Sequence, residues 1–358
     1  MEFRSLAERI PKIHLHCHLE GSLRPATFLQ LARKHGVPLQ YRPRPQEPSE
    51  ARGAERAQKI AEAATAEDPY RFEGLQEFLW LFAAVSRALS DPDDYALLAR
   101  EFVQTALAQN VIYGELFVSP PVWTFFNPGL DVRATLGGIV AELRAARPRA
   151  IFRLLPDLTR NFGAESAMQT ARAMALLNDA DVIGVSLGGD EMRFPATLFA
   201  DAFAFARAQG LHRVAHAGES AGAQSVRDAV EILGAERIGH GIAALDDAGT
   251  LEMLAQRRLP LEICPTSNRR TGVALPAHPH PYADFDAAGC VVAIDCDDPA
   301  LFGVSIEQEY ASVERACGTA GLERFVRNAI AASFASLDEK RWMEAKLSAA
   351  LAELPATA

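Results

Sequence analysis

The stretch HLHCHLEGSLRP, residues 14–25, holds three of the nine histidines of this 358-residue chain. Because side chains two residues apart on a strand face the same side, His16 and His18 can point together from the end of one strand. His216 follows a later apolar run, and Asp297 follows the last one. Imidazole nitrogens and a carboxylate oxygen suit zinc with an open position for water, although iron, manganese or cobalt could also bind. These residues predict a site for one divalent metal.

The same predicted strand ends carry further ionisable residues. Glu219 comes three residues after His216, so its carboxyl can reach beside a metal without binding it, and His240 and Asp298 also follow apolar runs. Taken singly, such residues are more often hydrogen-bonded structural residues or turn caps. Together, at matching strand ends, they predict acid–base chemistry beside a metal.

Eight short apolar runs alternate with longer amphipathic segments, which is typical of βαβ units with a parallel sheet. We expect strands at 12–18, 111–120, 150–158, 182–191, 212–220, 236–241, 259–268 and 291–299. Eight such units favour a closed barrel, which assembles its chemistry at the C-terminal ends of its strands. The sequence therefore predicts the α/β class, with a single (β/α)8 TIM-type barrel domain over residues 1–358.

The length beyond a minimal barrel lies mostly at about 40–110, after the first strand. Within this insertion, two segments with helical spacing, 74–89 and 94–110, predict helices. The insertion is expected to form either a helical cap near the active-site end or a surface excursion. A Glu- and Arg-rich segment at about 305–354 predicts C-terminal helices.

Composition and charge disfavour several classes of partner. The net charge is −10, so no sequence-wide basic field exists to bind nucleic acid or an anionic membrane surface. No apolar run approaches the roughly 18 residues of a membrane helix, and the N-terminal residues lack the apolar core of a secretion signal. The five cysteines are widely spread, which favours a reducing compartment. We expect a cytoplasmic protein that acts on a small molecule; its oligomeric state stays open.

Two residues of the first strand are expected to have other roles. His14 shares the alternation but lies deeper in the strand, so a role beside a ligand or in the core is favoured. Cys17 alternates to the opposite face, where it is expected to be a small buried hydrophobe.

The motifs PKIHLHCHLEGSLRP, GGDE, HAGES, ERIGHG, ICPTSN and DCDDP resemble, in order and spacing, those of the adenosine deaminase family within the amidohydrolase superfamily. The resemblance covers about residues 11–310 and implies a (β/α)8 barrel with one zinc ion. The implied zinc ligands are His16, His18, His216 and Asp297. The other implied roles are proton donation by Glu219, orientation or deprotonation of water by His240, and purine contacts by Asp298 at N7 and the Gly189 N–H at N3.

The implied reaction is hydrolysis of a 6-aminopurine to a 6-oxopurine and ammonia. Zinc lowers the pKa of water from about 15.7 to about 7, and a neutral carboxylic acid at N1 supplies the proton as the ring loses aromaticity. Binuclear amidohydrolases commonly bridge two metals with a carboxylated lysine after the fourth strand. Since no lysine lies between Lys59 and Lys340, a single metal is favoured.

The resemblance implies adenosine, converted to inosine, as the default substrate. Typical members read HLDG, whose aspartate contacts the ribose 5′ hydroxyl, whereas this chain reads HLEG. Glu20, a candidate substrate-binding residue, is one methylene longer, so either the sugar contact is shifted or the sugar is different or absent. Relatives that act on adenine or aminodeoxyfutalosine resemble the chain here, but GGDE resembles the nucleoside enzymes. Asp295 stands where the family often has asparagine. Those two substrates are the alternatives; another mononuclear amidohydrolase, or an inactive binding protein, is a remoter one.

Overall fold

The computed structural model describes residues 5–37, 69–273 and 281–353, and each of its eight strands in these ranges falls within a predicted run. The strands are β1 Lys12–His18, β2 Val111–Val118, β3 Ile151–Pro156, β4 Gly184–Val185, β5 His212–Ala217, β6 Arg237–His240, β7 Pro260–Ile263 and β8 Val291–Ile294. All neighbouring pairs are parallel, in the orders β1-β2-β3 and β4-β5-β6-β7-β8. β4 is much shorter than predicted because the residues after it form a loop.

Backbone hydrogen bonds join these two sheets into a closed ring. Between β3 and β4, the Leu154 N–H donates to the Asp181 carbonyl at 2.7 Å. Between β8 and β1, the His18 N–H donates to the Asp297 carbonyl at 2.8 Å, and the Asp297 N–H donates to the His16 carbonyl at 3.1 Å. The predicted (β/α)8 barrel is confirmed.

Helices follow or surround every strand. They are α1 Leu6–Arg9, α2 Pro25–Lys34, α3 Gly74–Ala88, α4 Pro92–Ala108, α5 Pro120–Phe126, α6 Val132–Arg144, α7 Gly163–Leu177, α8 Ala200–Ala208, α9 Ala223–Glu231, α10 Ala248–Arg257, α11 Pro265–Thr271, α12 Tyr282–Ala287, α13 Pro299–Phe302, α14 Ile306–Ala332 and α15 Leu337–Ala352. Within the described ranges, no helix is long and apolar enough to span a bilayer.

The helices α3 and α4 confirm the two that were predicted in the insertion, whereas residues 38–68 of the insertion lie outside the described residues. α4 begins at a capping box in which Asp91 and Asp94 each accept the other's backbone N–H, followed by Pro92 at the first helical position. α3 lies at the active-site end, where its Phe82 ring is 6.4 Å from the ring of His18. This part of the insertion therefore forms a wall of the site.

The C-terminal segment forms α14 and α15, as predicted, and α14 is kinked at Gly318, whose φ is 72°. One hydrophobic cluster runs from Leu6 in α1 to Leu347 in α15 and includes the fully buried Cys17, which is the buried position predicted for that residue. The single-domain assignment for residues 1–358 stays a prediction, as does the cytoplasmic location.

Asp295 has a structural role between β8 and β1. Its Oδ1 accepts the Leu15 N–H at 2.7 Å and lies 2.9 Å from Nδ1 of His14. Nearby, the Tyr310 hydroxyl accepts the Ile13 N–H at 3.3 Å. These two side chains take the place of backbone pairing along the lower part of this junction. The carboxylate that the sequence left unexplained thus helps to close the barrel, and it binds the ring of His14.

We expect Asp295→Ala to lower the free energy of unfolding by about 3 kcal/mol, because it leaves the Leu15 N–H and the His14 ring without a partner in a closed interior. Asp295→Asn keeps an oxygen acceptor for Leu15 and should lose about 1 kcal/mol. The free energies of unfolding of the parent and the two variants, measured by urea unfolding in the presence of a metal chelator, check this. Equal stability of the alanine variant and the parent would contradict the role in closure.

Candidate active site

Four predicted residues bring their ligand atoms together at the C-terminal end of the barrel: His16, His18, His216 and Asp297 lie with one such atom each within 4.8 Å of the others. The Nε2 atoms of His18 and His216 are 3.2 Å apart, and Asp297 Oδ1 is 3.4 Å from Nε2 of both His16 and His18. Ligands at about 2.1 Å from a tetrahedral metal lie about 3.4 Å from one another. These separations fit a small ion such as zinc.

The burial of this cluster is a second sign of a cation site. His16 is fully buried, and its Nε2 has no hydrogen-bond partner, although buried polar atoms are normally paired. Burial lowers the pKa of His16, but its contacts with Asp297 and Glu262 outweigh burial and raise the pKa to about 10. Burial raises the pKa of Asp297, yet His16 holds that pKa well below its usual range. The site thus favours a positive charge at its centre, and the donor set fits a divalent metal.

Two of the strand ends have backbone in the left-handed region. His240, the last residue of β6, has φ of 60°, and Asp297, just after β8, has φ of 66°. Such values are uncommon and strained for residues other than glycine, and they cluster at functional sites. The chain therefore turns sharply where it presents these two side chains.

Other buried side chains hold two residues of the cluster, His16 and Asp297, and sequence reasoning missed them as site residues. Glu262 Oε2 lies 2.9 Å from Nδ1 of His16, while its Oε1 is bound by the fully buried Arg237. The Ser267 hydroxyl donates to Asp297 Oδ2 at 2.7 Å. Such outer partners orient metal ligands. The signal that could have identified Glu262 was a carboxylate inside the otherwise apolar run LPLEIC.

Glu219 and His240 lie next to each other beside the cluster. Glu219 Oε2 is 3.8 Å from Nε2 of His240, whose Nδ1 contacts the Asn268 amide at 3.0 Å. Burial, and then the charges of Asp297 and Glu191, raise the pKa of Glu219 to about 8. Burial lowers the pKa of His240 to about 3. At neutral pH this arrangement offers a protonated carboxyl as a proton donor and a neutral imidazole as an acceptor.

Asp298 and Glu20 are both buried near this site. Asp298 Oδ1 has no hydrogen-bond partner, and burial followed by the charge of Asp297 raises the pKa of Asp298. A side chain at Gly21 would put its Cβ 2.0 Å from Asp298 Oδ1, so this close approach requires glycine. Asp298 Oδ1 is therefore enclosed against Gly21 without a hydrogen-bond partner.

The carboxyl of Glu20 is fully buried behind α5. Its Oε1 accepts the Ser119 N–H at 2.8 Å and the Trp123 Nε1–H at 2.6 Å, whereas Oε2 has no partner. Gly189 lies instead on the exposed loop after β4, with φ of 101°. Glu20 is thus part of a closed wall, and Gly189 is at the open rim.

Two further residues were missed as parts of the site. Glu191, in the GGDE motif, accepts hydrogen bonds from the loop that carries Glu219. Arg160 is fully buried and donates to the His216 carbonyl at 2.8 Å and to the Phe194 carbonyl at 2.7 Å. The GGDE motif could have identified Glu191, but nothing in the sequence distinguishes Arg160 from a surface arginine.

The sequence matches the family profile described as adenosine deaminase over residues 11–350. The chain belongs to the adenosine deaminase family. An adenine deaminase from Ralstonia nicotianae is 35% identical over 352 residues, which cover 95% of this chain and 96% of the relative. The crystal structure of an adenine deaminase from Arthrobacter aurescens has a TM-score of 0.83 and 26% identity, covering 96% of this chain and 99% of that one. The crystal structure of an amidohydrolase from Burkholderia ambifaria with bound zinc has a TM-score of 0.80 and 25% identity, and the match covers 99% of this chain and 97% of that one.

The family that the motifs resembled is confirmed, together with its place in the amidohydrolase superfamily. The chain is a purine deaminase, and therefore a hydrolase, since the family profile and full-length relatives agree on this class of reaction. Its His and Asp cluster is consistent with a divalent metal.

Asp297→Asn should weaken zinc binding by about 100-fold or more, because loss of a ligand costs more than loss of an outer partner. The control is His14→Gln, which changes a histidine of β1 that contacts Asp295 and is not part of the cluster. Competition with a chromophoric chelator, with metal content measured by mass spectrometry, checks both variants. Wild-type zinc affinity in the Asp297 variant would rule out this ligand set.

Proposed function

We propose that this deaminase is a zinc-dependent adenine deaminase, which hydrolyses adenine to hypoxanthine and ammonia. The observation that carries the proposal is the full-length similarity to a relative that is named adenine deaminase, at 35% identity over 95% of this chain. The Arthrobacter aurescens adenine deaminase, with a TM-score of 0.83, adds support. Adenosine, the default that the motifs implied, becomes the second candidate because GGDE resembles the nucleoside enzymes.

The surroundings of Glu20 support a free base over a nucleoside. In the family resemblance, the residue at this position contacts the ribose 5′ hydroxyl. Here the side chain is fully buried, and Oε1 is already bonded to Ser119 and Trp123. A sugar hydroxyl would have to displace the wall formed by α5 to reach it. Although Oε2 has no partner, it is enclosed within the protein, which supports a substrate without ribose over adenosine.

The GGDE motif gives less support to a nucleoside substrate than its resemblance to the nucleoside enzymes suggests. The carboxylate of Glu191 is bonded to backbone N–H groups of residues 218–221, and Asp190 accepts the Arg193 N–H. Both acidic side chains therefore have local structural partners. Their presence supports a well-ordered loop and carries no preference for a sugar.

In the proposed reaction, His16, His18, His216 and Asp297 hold one zinc ion, which when bound lowers the pKa of water to about 7. Glu219, protonated near neutral pH, donates its proton to the purine N1 as the water oxygen adds at C6. The neutral ring of His240 holds or accepts the proton of that water. His240 then passes that proton to the exocyclic nitrogen, which leaves as ammonia, while the oxygen at C6 loses its proton to Glu219 and the 6-oxopurine remains.

Two residues are proposed to orient the base without taking part in the proton transfers to N1 and to the leaving nitrogen. Asp298, whose pKa burial raises, presents its unpaired Oδ1 to N7, as the resemblance implies. The Gly189 N–H faces N3 from the loop after β4. Contacts at N1, N3 and N7 fix a purine in its plane, which is what a ligand without a sugar requires.

We expect the zinc-loaded protein to turn over adenine with a kcat/KM about 100-fold above that for adenosine, because added ribose meets filled space. Ultraviolet absorbance assays with adenine, adenosine and aminodeoxyfutalosine check this side by side. Preference for adenosine would mean that Glu20 binds ribose after the wall moves. Preference for aminodeoxyfutalosine would mean a wide sugar pocket, and no turnover of any of the three would favour another mononuclear amidohydrolase.

Glu219→Gln should lower kcat by about 1,000-fold, because the amide cannot supply the proton at N1, while zinc content stays at the parent's level. The assay follows adenine turnover together with metal content. The control is Glu165→Gln on the exposed face of α7, which should keep full activity. Undiminished turnover by a metal-loaded Glu219 variant would refute the proton-donor assignment.

A further inference from the structure

The carboxylate of Glu191 is enclosed by N–H groups from a single loop. Glu191 is only 4% exposed; its Oε1 accepts the Gly218 N–H at 2.5 Å. Its Oε2 accepts the N–H groups of Glu219 at 3.1 Å, Ser220 at 3.0 Å and Ala221 at 3.1 Å. Consecutive backbone N–H groups around one anion form a nest. This side chain therefore accepts the N–H groups of the first four residues after β5.

The same carboxylate also reaches the helix after the loop. The Ser225 hydroxyl, in the first turn of α9, donates to Glu191 Oε1. Gly218 has φ of 66°, and a Cβ there would lie 2.5 Å from Val226 Cγ2. The loop is thus tightly folded between β5 and α9, with Glu191 bonded to both of its halves.

The loop that carries Glu191 is itself fixed from the other side. The Arg160 N–H donates to the Gly188 carbonyl at 2.9 Å, and the Asp190 N–H donates to Asn161 Oδ1 at 3.0 Å. The loops after β3, β4 and β5 are therefore joined in series. This gives Glu191 a defined position from which it can fix its neighbour.

We infer that Glu191 is a positioning residue, which holds the loop 218–221 so that the carboxyl of Glu219 faces the reacting purine. The inference rests on the proposed function, in which Glu219 is the proton donor. Glu219 is one of the residues that form the nest, because its N–H donates to Glu191 Oε2. Its side-chain Oε2 lies 3.8 Å from Nε2 of His240. A displacement of about 1 Å at such a group lowers the rate by about 100-fold.

Glu191→Gln is the direct test, because a carboxylate only accepts hydrogen bonds whereas an amide turns an NH2 group toward some of these donors. We expect kcat for adenine to fall about 100-fold, with KM and zinc content within about threefold of the parent. Glu314→Gln is the matched control: its oxygens accept the N–H groups of Leu6 and Ala7, away from the site. That variant should keep its kcat.

A double-mutant cycle separates positioning from a general structural effect. If Glu191 acts through Glu219, Glu191→Gln should change kcat by less than about threefold once Glu219 is already glutamine. If the two losses multiply, Glu191 acts elsewhere and the inference is wrong. If Glu219→Gln alone keeps full activity, there is no proton donor to position, and both the inference and the mechanism fail.

Hydrogen exchange gives a readout that does not depend on turnover. Exchange of a peptide spanning residues 217–222 should accelerate about tenfold or more in Glu191→Gln and stay unchanged in Glu314→Gln. Unchanged exchange in the first variant would overturn the inference even in an active deaminase. Accelerated exchange in a protein that deaminates no purine would support the clamp on the loop and refute only the proposed function.

Discussion

The structure depends on keeping buried electron-pair donors close together. The Nε2 atoms of His18 and His216 are 3.2 Å apart, and the carboxylate of Asp297 lies beside the imidazoles of His16 and His18. Two neutral imidazole nitrogens at this separation require a proton or a metal between them. Burial removes the water that would otherwise solvate them. A metal ion relieves this repulsion, so its binding is coupled to the stability of the folded barrel.

The barrel holds two of the four cluster residues, His16 and Asp297, by hydrogen bonds from buried side chains. Glu262 orients His16 and is itself held by Arg237, which is also paired with Glu115 at 2.6 Å. An unpaired charge at this depth would be strongly destabilising, so the three buried charges are stable only as a set. Asp295 and the hydroxyl of Tyr310 complete the junction from which His16 and His18 project. Ligand geometry is thus a property of the whole closed barrel, not of any one strand.

The sequence predicted the parts of the fold that depend on local pattern. Each strand from β1 to β8 lies within a predicted run because buried parallel strands are short, apolar and separated by helices. The residues of the cluster could be predicted because histidine is rare in this chain and four of its nine histidines follow or end apolar runs. The side chains that hydrogen-bond to these histidines could not be predicted from the sequence. Glu262 is 246 residues from His16, and Asp295 is 281 residues from His14, so only the closed barrel brings them together.

The roles of the two residues that depart from the family pattern could not be assigned from the sequence, because their partners are also distant along the chain. Glu20 and Asp295 each differ from the usual residue by a small chemical change, and sequence alone treats both as candidates for substrate specificity. In the structure, Asp295 binds backbone and His14, so its charge is used in closure. Glu20 binds Trp123 and fills space next to Asp298. One departure is therefore structural, whereas the other lies where it can shape the ligand.

The small size of the proposed substrate accounts for the rigid hydrogen bonding of the site. An enzyme acting on a nucleoside can use the binding energy of the ribose to orient the base at the reacting carbon. Adenine has no such remote part, so orientation has to come from groups that are already in place when it binds. The buried carboxylates of Glu20 and Glu191 meet that requirement, one by closing the sugar side and the other by fixing the loop of Glu219. A small substrate and a rigid site are, on this view, consequences of the same buried hydrogen bonds.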